Sequence, residues 1–317
     1  MNIDLSPEAL DYGRSAGQAF GAAGGDALVQ QAQADPSGRA ALITPVLRDL
    51  GSGELQPRIG AEDLEAAAAL CRSAGYWAVP YPVAEYLCRP ADADGLVVVA
   101  GTPRAALGGL DGRWAAVDLS GRRGVLTPGA SGAGFVAELR PAAPGTAGDT
   151  GDALAGDDEL ALALTLPCWT LLGMLDRAIE LTVAHVSIRK QFGQRLSAFQ
   201  SVQFQLTDAE VERSGLDMLA RHALWRVGHG LQGRQGSVLD DALALRMAAL
   251  EAAEVVFRVA HQLHGASGFC DETTLSWLSR YSQPLRRLPL GLSATRGLLT
   301  DRLGATALAP VSGPAGS

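Results

Sequence analysis

Aromatic side chains are scarce in this chain and lysine is almost absent. Phe, Trp and Tyr make up 5% of its 317 residues, and of 26 basic residues only Lys190 is lysine. Cysteine is sparse too. Cys71, Cys88, Cys168 and Cys270 stand far apart, with no CxxC and no histidine at ligand spacing, which excludes a disulfide scaffold or zinc ribbon and reads as reduced core thiols. A basic balance is missing. The net charge is −8 with no basic stripe, so nucleic acid is not an expected partner, and a polyanion would be held only locally. Long apolar runs are also lacking. The longest charge-free stretch near the middle, Leu160 to Leu175, has 16 residues and contains Pro167, short of the roughly 20 apolar residues a membrane span needs. Met1 is followed by Asn2, Asp4 and Glu8 rather than a charged-then-apolar leader, so the expectation is a soluble cytoplasmic protein with no membrane partner.

What is present is apolar material of small and branched type. The chain is 47% hydrophobic, chiefly Ala, Leu and Val, which excludes disorder for most of its length and favours close-packed helices. The length corresponds to about two domains at roughly 150 residues each.

Three textures follow one another. From about Ser6 to Leu87 the pattern is helical, including Leu64-Glu-Ala-Ala-Ala-Ala-Leu70, with breaks at Pro80 and Pro82. From about Gly95 to Leu139, short runs separated by Gly, Pro, Ser and Asp predict a small antiparallel sheet. Pro141 to Asp158 reads as a linker. From about Glu159 to Thr306 the pattern is strongly helical again. The spacing predicts helices over Leu160–Ile188, Ser197–Val227, Ser237–Leu263 and Leu292–Leu303, with a turn at Gly228–Gly236. The tail from Ala307 to Ser317 reads as flexible.

Two stretches in the helical third go beyond pattern: Arg189-Lys-Gln-Phe-Gly193, continuing through Phe199 and Gln200, and His261-Gln-Leu-His-Gly-Ala-Ser-Gly-Phe269, followed by Arg280. Together they resemble the R-x-x-F-G and Q-x-x-G-G/A-x-G-F segments of the acyl-CoA dehydrogenase family. The resemblance is close over about Leu160 to Leu303, looser over the N-terminal helices, and positional only in the sheet region. It implies a mainly α fold with a small β domain: an N-terminal helical domain over 1–90, a truncated antiparallel β domain over 91–150, a C-terminal four-helix bundle over 151–306, and the tail over 307–317.

The resemblance also implies FAD shared across a subunit interface. Arg189 would offer a planar, permanently charged fork to the pyrophosphate. Phe192 would lie near the adenosine, and Phe199 and Gln200 would line the same groove. Gln262, Leu263, His264, Gly265 and Ala266 would bring side chain and main chain close to the cofactor. His185, His222 and His229 read as packing or surface residues, and Trp225 and Trp277 as core or interface anchors.

The departures are selective. Acyl-CoA dehydrogenation needs a carboxylate to take the α-proton while hydride passes to the flavin. At the family's usual glutamate position stands Leu290, and the alternative station near the start of the first bundle helix reads Ala163-Leu-Thr-Leu166. The β-domain segments that normally hold the flavin ring are missing, and Leu292 and Ala294 replace the Thr and Gln expected after the base. Residues facing a neighbour's ADP are kept. This asymmetry resembles the non-catalytic subunits of actinobacterial α2β2 acyl-CoA dehydrogenases acting on steroid side-chain CoA thioesters. It implies a homologous catalytic partner subunit and an acyl-CoA substrate. Two other readings stay open: an active homomeric dehydrogenase with a displaced base at Glu159, Asp271 or Glu272, and a purely structural subunit.

Overall fold

Ala-rich segments with apolar residues three and four apart form ten α-helices in the computed structural model, which describes residues 2–141, 156–230 and 237–305. The N-terminal helices are α1 (Pro7–Ala22), α2 (Leu28–Ala34), α3 (Arg39–Asp49), α4 (Ala61–Tyr76) and α5 (Val83–Leu87). Ser6 starts α1 by accepting from the Ala9 amide, with Pro7 next, where a missing N–H costs nothing. The bundle comprises α6 (Asp157–Ile188), α7 (Gln200–Gly230), α8 (Val238–His264), α9 (Thr274–Arg287) and α10 (Leu292–Ala305). The expected linker over 141–158 and turn over 228–236 fall mostly outside the described residues, and the tail over 307–317 lies outside them entirely.

α6 is the axis. Leu160, Leu164, Leu171, Leu172 and Leu175 are buried on all sides, as its unbroken apolar sequence dictates, and Pro167 is accommodated within it. α4 crosses α6 on one side, and α7 and α8 pack on the others. One continuous apolar cluster runs from Leu5 and Phe20 through Leu70 and Trp169 to Leu250 and Leu299, so the N-terminal helices and the bundle share a core.

The sheet corrects one expectation. Five strands, β1 (Gly95–Val99), β2 (Arg104–Ala105), β3 (Trp114–Asp118), β4 (Arg123–Pro128) and β5 (Ala137–Pro141), lie in the order β1-β3-β4-β5-β2. β1 and β3 are parallel, with Gly95 opposite Trp114 and Val99 opposite Asp118, so the sheet is mixed rather than antiparallel. The cause is the intervening segment: β2 leaves to pair with β5 at the far edge, and the chain re-enters beside β1 in the same direction. Two anchors fix the sheet to the helices. Fully buried Arg39 donates to the Ala106 carbonyl at 2.7 Å and lies over the Phe135 ring. Glu159, at the start of α6, pairs with Arg58 at 2.6 Å and with Arg123 of β4.

Candidate functional site

The first motif forms a projecting hairpin. α6 ends at Ile188, Arg189 turns into extended backbone, and two short strands, β6 (Lys190–Gln191) and β7 (Gln194–Arg195), pair across Phe192-Gly193. Both turn residues have positive φ, +52° and +82°, as a two-residue turn of the primed type requires. Glycine adopts this freely, but a phenylalanine there is strained by on the order of 1–3 kcal/mol. Phe192 is nevertheless 90% exposed, touching Phe199 edge-on at 6.3 Å between centroids. A strained, solvent-facing aromatic gains little for this chain alone.

Charge at the hairpin is uncompensated. The Arg189, Lys190 and Arg195 side chains are exposed, and none has a carboxylate partner among the described residues. Many arginines elsewhere are paired, as in the linked set Arg72, Asp176, Arg213, Asp217 and Arg221, although exposed Arg140, Arg258 and Arg287 also lack a carboxylate partner among the described residues. Gln200, the first residue of α7, is also exposed.

The second motif ends α8 and reaches the first through one contact. His185, one turn before Arg189, stacks on His264 with ring centroids 4.3 Å apart. His185, expected as a packing or surface residue, has in His264 a specific partner that its sequence context does not signal. Leu263 and His264 are buried, whereas Gln262, Gly265 and Ala266 are exposed. Gly265 has φ +62° and open space where a Cβ would stand, so its main chain can be approached closely. Behind it, His261 stacks on Phe269 and shares a 2.9 Å hydrogen bond with the Ser279 hydroxyl. The structure thus gathers Arg189, Phe192, Phe199, Gln200 and the Gln262–Ala266 segment at one end of the bundle. A diphosphate suits this set, with free cations and an accessible main chain.

Leu290 belongs to a separate junction, the α9–α10 loop. Arg246 of α8, 3% exposed, donates from Nη2 to the carbonyls of Leu288 and Leu290, each at 2.6 Å. No carboxylate pairs with this guanidinium among the described residues, and burial lowers its proton affinity. Arg246 also lines a cavity of about 50 Å³, together with Glu85, Ala163, Leu164, Pro167 and Leu288. Ligand pockets usually measure about 300–1,000 Å³, so this space admits no acyl chain as it stands. Glu85 of α5 is the carboxyl that the sequence reading overlooked. Burial raises its pKa, against an opposing pull from its own amide and from Arg39.

The other proposed bases are engaged or remote. Glu159 is a buried ion-pair acceptor for two arginines rather than a surface acid, which makes it an anchor. Asp271 pairs with Arg280 at 2.6 Å beside a groove of about 790 Å³ between α9 and the 133–136 turn, and Glu272 is exposed. Of the cysteines, Cys71, Cys88 and Cys168 are buried thiols, but Cys270 is exposed, contrary to its reading as a core residue.

The chain is similar to known proteins in sequence over part of its length and in overall fold. Residues 163–289 match the family model described as acyl-CoA dehydrogenase, C-terminal domain. The acyl-CoA dehydrogenase FadE28 of Mycobacterium tuberculosis is 32% identical over 96 residues, covering 30% of this chain and 27% of that protein. The matched segment therefore spans about a quarter of that relative's length. Among solved structures, the ChsE4–ChsE5 complex of Mycobacterium tuberculosis superposes with a TM-score of 0.71 at 16% identity, covering 96% of this chain and 99% of that one. The Tcur3481–Tcur3483 steroid ACAD superposes at 0.69 and 17% identity, covering 96% and 100%.

Proposed function

We propose that this chain, which has the acyl-CoA dehydrogenase fold and carries that family's C-terminal domain, is the non-catalytic subunit of a cytoplasmic, FAD-dependent acyl-CoA dehydrogenase. It contributes the ADP-binding half of an FAD site to a homologous catalytic partner in an α2β2 heterotetramer that desaturates a steroid side-chain CoA thioester. The observation that carries this reading is the contrast between the chain's two junctions. The hairpin presents Arg189, Lys190 and Arg195 without acid partners among the described residues beside exposed Phe192, whereas the α9–α10 loop has Leu290 at the position where the family resemblance expects a proton acceptor.

Arg189 would hold the diphosphate, Phe192 and Phe199 would flank the adenosine, and the Gly265 main chain would close the cradle. When bound, the flavin supplies the hydride acceptor for α,β-dehydrogenation. The base that takes the α-proton comes from the partner, because an aliphatic side chain at 290 accepts none.

An exposed apolar surface supports a partner. Phe204, Val211 and Met218 recur every seven residues along α7, and Ile188 is 78% exposed beside the hairpin. Side chains seven residues apart share one face of α7, and a partner covering that face would bury all three. The neighbours ChsE4–ChsE5 and Tcur3481–Tcur3483 are themselves named as pairs, which supports the heteromeric form of the reading.

Co-expression with the catalytic partner tests it. The expected product is a yellow complex with one FAD per pair, whose activity is lost when the partner's base is removed, while this chain alone retains little flavin. Two FAD per pair would overturn the reading. Glu85 favours one rival, an active homomer with a displaced base, since it lines the cavity beside Arg246 and Leu288. That rival requires the purified chain alone to bleach FAD with an acyl-CoA, and Glu85→Gln to abolish the bleaching.

A further inference from the structure

The stacked rings of His185 and His264 have a chemistry beyond packing. Their planes lie 24° from parallel. Nδ1 of His264 is 2.8 Å from the Ala260 carbonyl, which only accepts, so Nδ1 carries the hydrogen and Nε2 is the nitrogen able to take a proton. Neither Nε2 of His264 nor the His185 ring has a hydrogen-bond partner among the described residues, and neither is sealed from solvent as Nδ1 of His261 is.

The surroundings oppose protonation. Burial comes first for both rings, followed for His185 by His264 and then Arg189. His261, the next ring along α8, is disfavoured by burial, by His264 and by Arg286 of α9. Every charged or titratable group acting on the stack from α6, α8 and α9 is therefore cationic or able to become so. None of these charged groups compensates a positive ring; only the backbone favours one, through the Ala260 carbonyl at Nδ1 of His264 and through Gly268 at His261, and two protonated rings at stacking distance repel each other.

A diphosphate docked at Arg189, one helical turn from His185, changes the sign of that field. We propose that the His185–His264 stack is a second anion-binding element of the nucleotide site, taking up one proton from solvent as the diphosphate docks. The inference rests on the nucleotide reading above and adds to it a binding residue, His185, and a coupled proton. Linkage then fixes the direction of the pH effect: a ligand that binds together with a proton binds more weakly as pH rises. Single rather than double uptake follows from the repulsion within the stack.

The test uses FAD, whose diphosphate diester does not itself titrate near neutrality, and the flavin-stripped complex of this chain with its catalytic partner. Calorimetric titration at pH 7 in two buffers of different ionisation enthalpy reads the proton stoichiometry. Wild type should take up part of a proton, at most about one, and should bind FAD several-fold more tightly at pH 6.5 than at pH 8. His185→Phe keeps an aromatic stack but removes one proton site, so it should lower the uptake and flatten the pH dependence. His185→Gln serves as a second variant should phenylalanine disturb the fold. FAD binding with the same proton stoichiometry in wild type and both variants overturns this inference alone. FAD binding that is indifferent to Arg189→Ala overturns the nucleotide reading and this inference with it.

Discussion

Gly75 of α4 and Gly173 of α6 lie where the two helices touch backbone to backbone. A Cβ on Gly75 would stand 1.8 Å from the Thr170 carbonyl oxygen, and one on Gly173 would stand 1.9 Å from the Arg72 carbonyl oxygen. The crossing therefore exists only because neither residue has a side chain, and it brings Arg72 within 2.7 Å of Asp176 on α6, while Asp217 of α7 reaches the same guanidinium at 2.7 Å. Glycine normally weakens a helix interior by about 1 kcal/mol relative to alanine. Here the preference reverses. Gly173→Ala should destabilise by roughly 3 kcal/mol or more, since backbone on backbone leaves no flexible neighbour to yield. Urea denaturation checks it, and a stabilised variant would refute the close crossing.

Glu159 carries a second structural prediction. Its carboxylate is 7% exposed and accepts from Arg58 and Arg123, tying α6 to the α3–α4 connection and to β4. Glu159→Gln leaves two guanidinium groups without a counter-charge. Breaking a buried pair costs roughly 3–5 kcal/mol, and because both arginines are about 28% exposed the loss should fall at or below the low end of that range. Chemical denaturation of the variant measures it. A loss below about 0.5 kcal/mol, the size of an ordinary surface change, would mean the anchor is not engaged in solution.

Much of the architecture is legible because periodicity reports burial directly. The long α6, α7 and α8 fall within a few residues of the segments that apolar spacing predicts. α7 begins at Gln200 rather than Ser197 because Leu196–Ala198 forms a 3₁₀ turn. Other features were not legible. α9 is polar on average with Pro284 inside it, so it is not among the expected helices, although Leu275, Leu278, Tyr281 and Leu285 recur at helical spacing and face the core. The parallel pairing of β1 with β3 is a non-local choice that no local pattern encodes.

The site divides in the same way. Arg189, Phe192 and Gly265 are conspicuous because they fall in the two motifs that resemble the acyl-CoA dehydrogenase family; singly, an exposed arginine and a glycine at a helix end would read as ordinary surface. Glu85 and His185 are single residues in unremarkable helices, and only tertiary structure brings them to a cavity and to another ring. The one local signal for Glu85 was its place after Pro80 and Pro82, at the start of a short helix.

Glu85 also sets a pH dependence. Its folded pKa is raised by burial, so the folded state holds this proton more tightly than the unfolded chain does. Its contribution to stability is complete below the ordinary carboxyl range and is lost as pH rises through the elevated value. Glu85→Gln cannot ionise and escapes that loss. The variant should gain Tm relative to wild type at pH 8 and gain less, or nothing, at pH 4. Thermal unfolding of both proteins at the two pH values decides, and an equal difference at each would show that Glu85 titrates like a solvated acid.

Arg189 separates folding from cofactor retention. Its side chain makes no ion pair within the described chain, so Arg189→Ala should leave thermal stability within about 0.5 kcal/mol of wild type. If Arg189 holds the diphosphate as proposed, the same change in the complex should remove a charge-assisted contact worth roughly 1.5–3 kcal/mol and weaken FAD binding by about ten- to a hundred-fold. Arg189→Lys keeps the charge but not the planar fork, and should fall between the two. Flavin released on dilution, followed by its fluorescence, gives the ranking. Equal retention by all three proteins would mean that the guanidinium faces solvent in the assembled enzyme, and the chain would then be a structural subunit with no hold on the nucleotide.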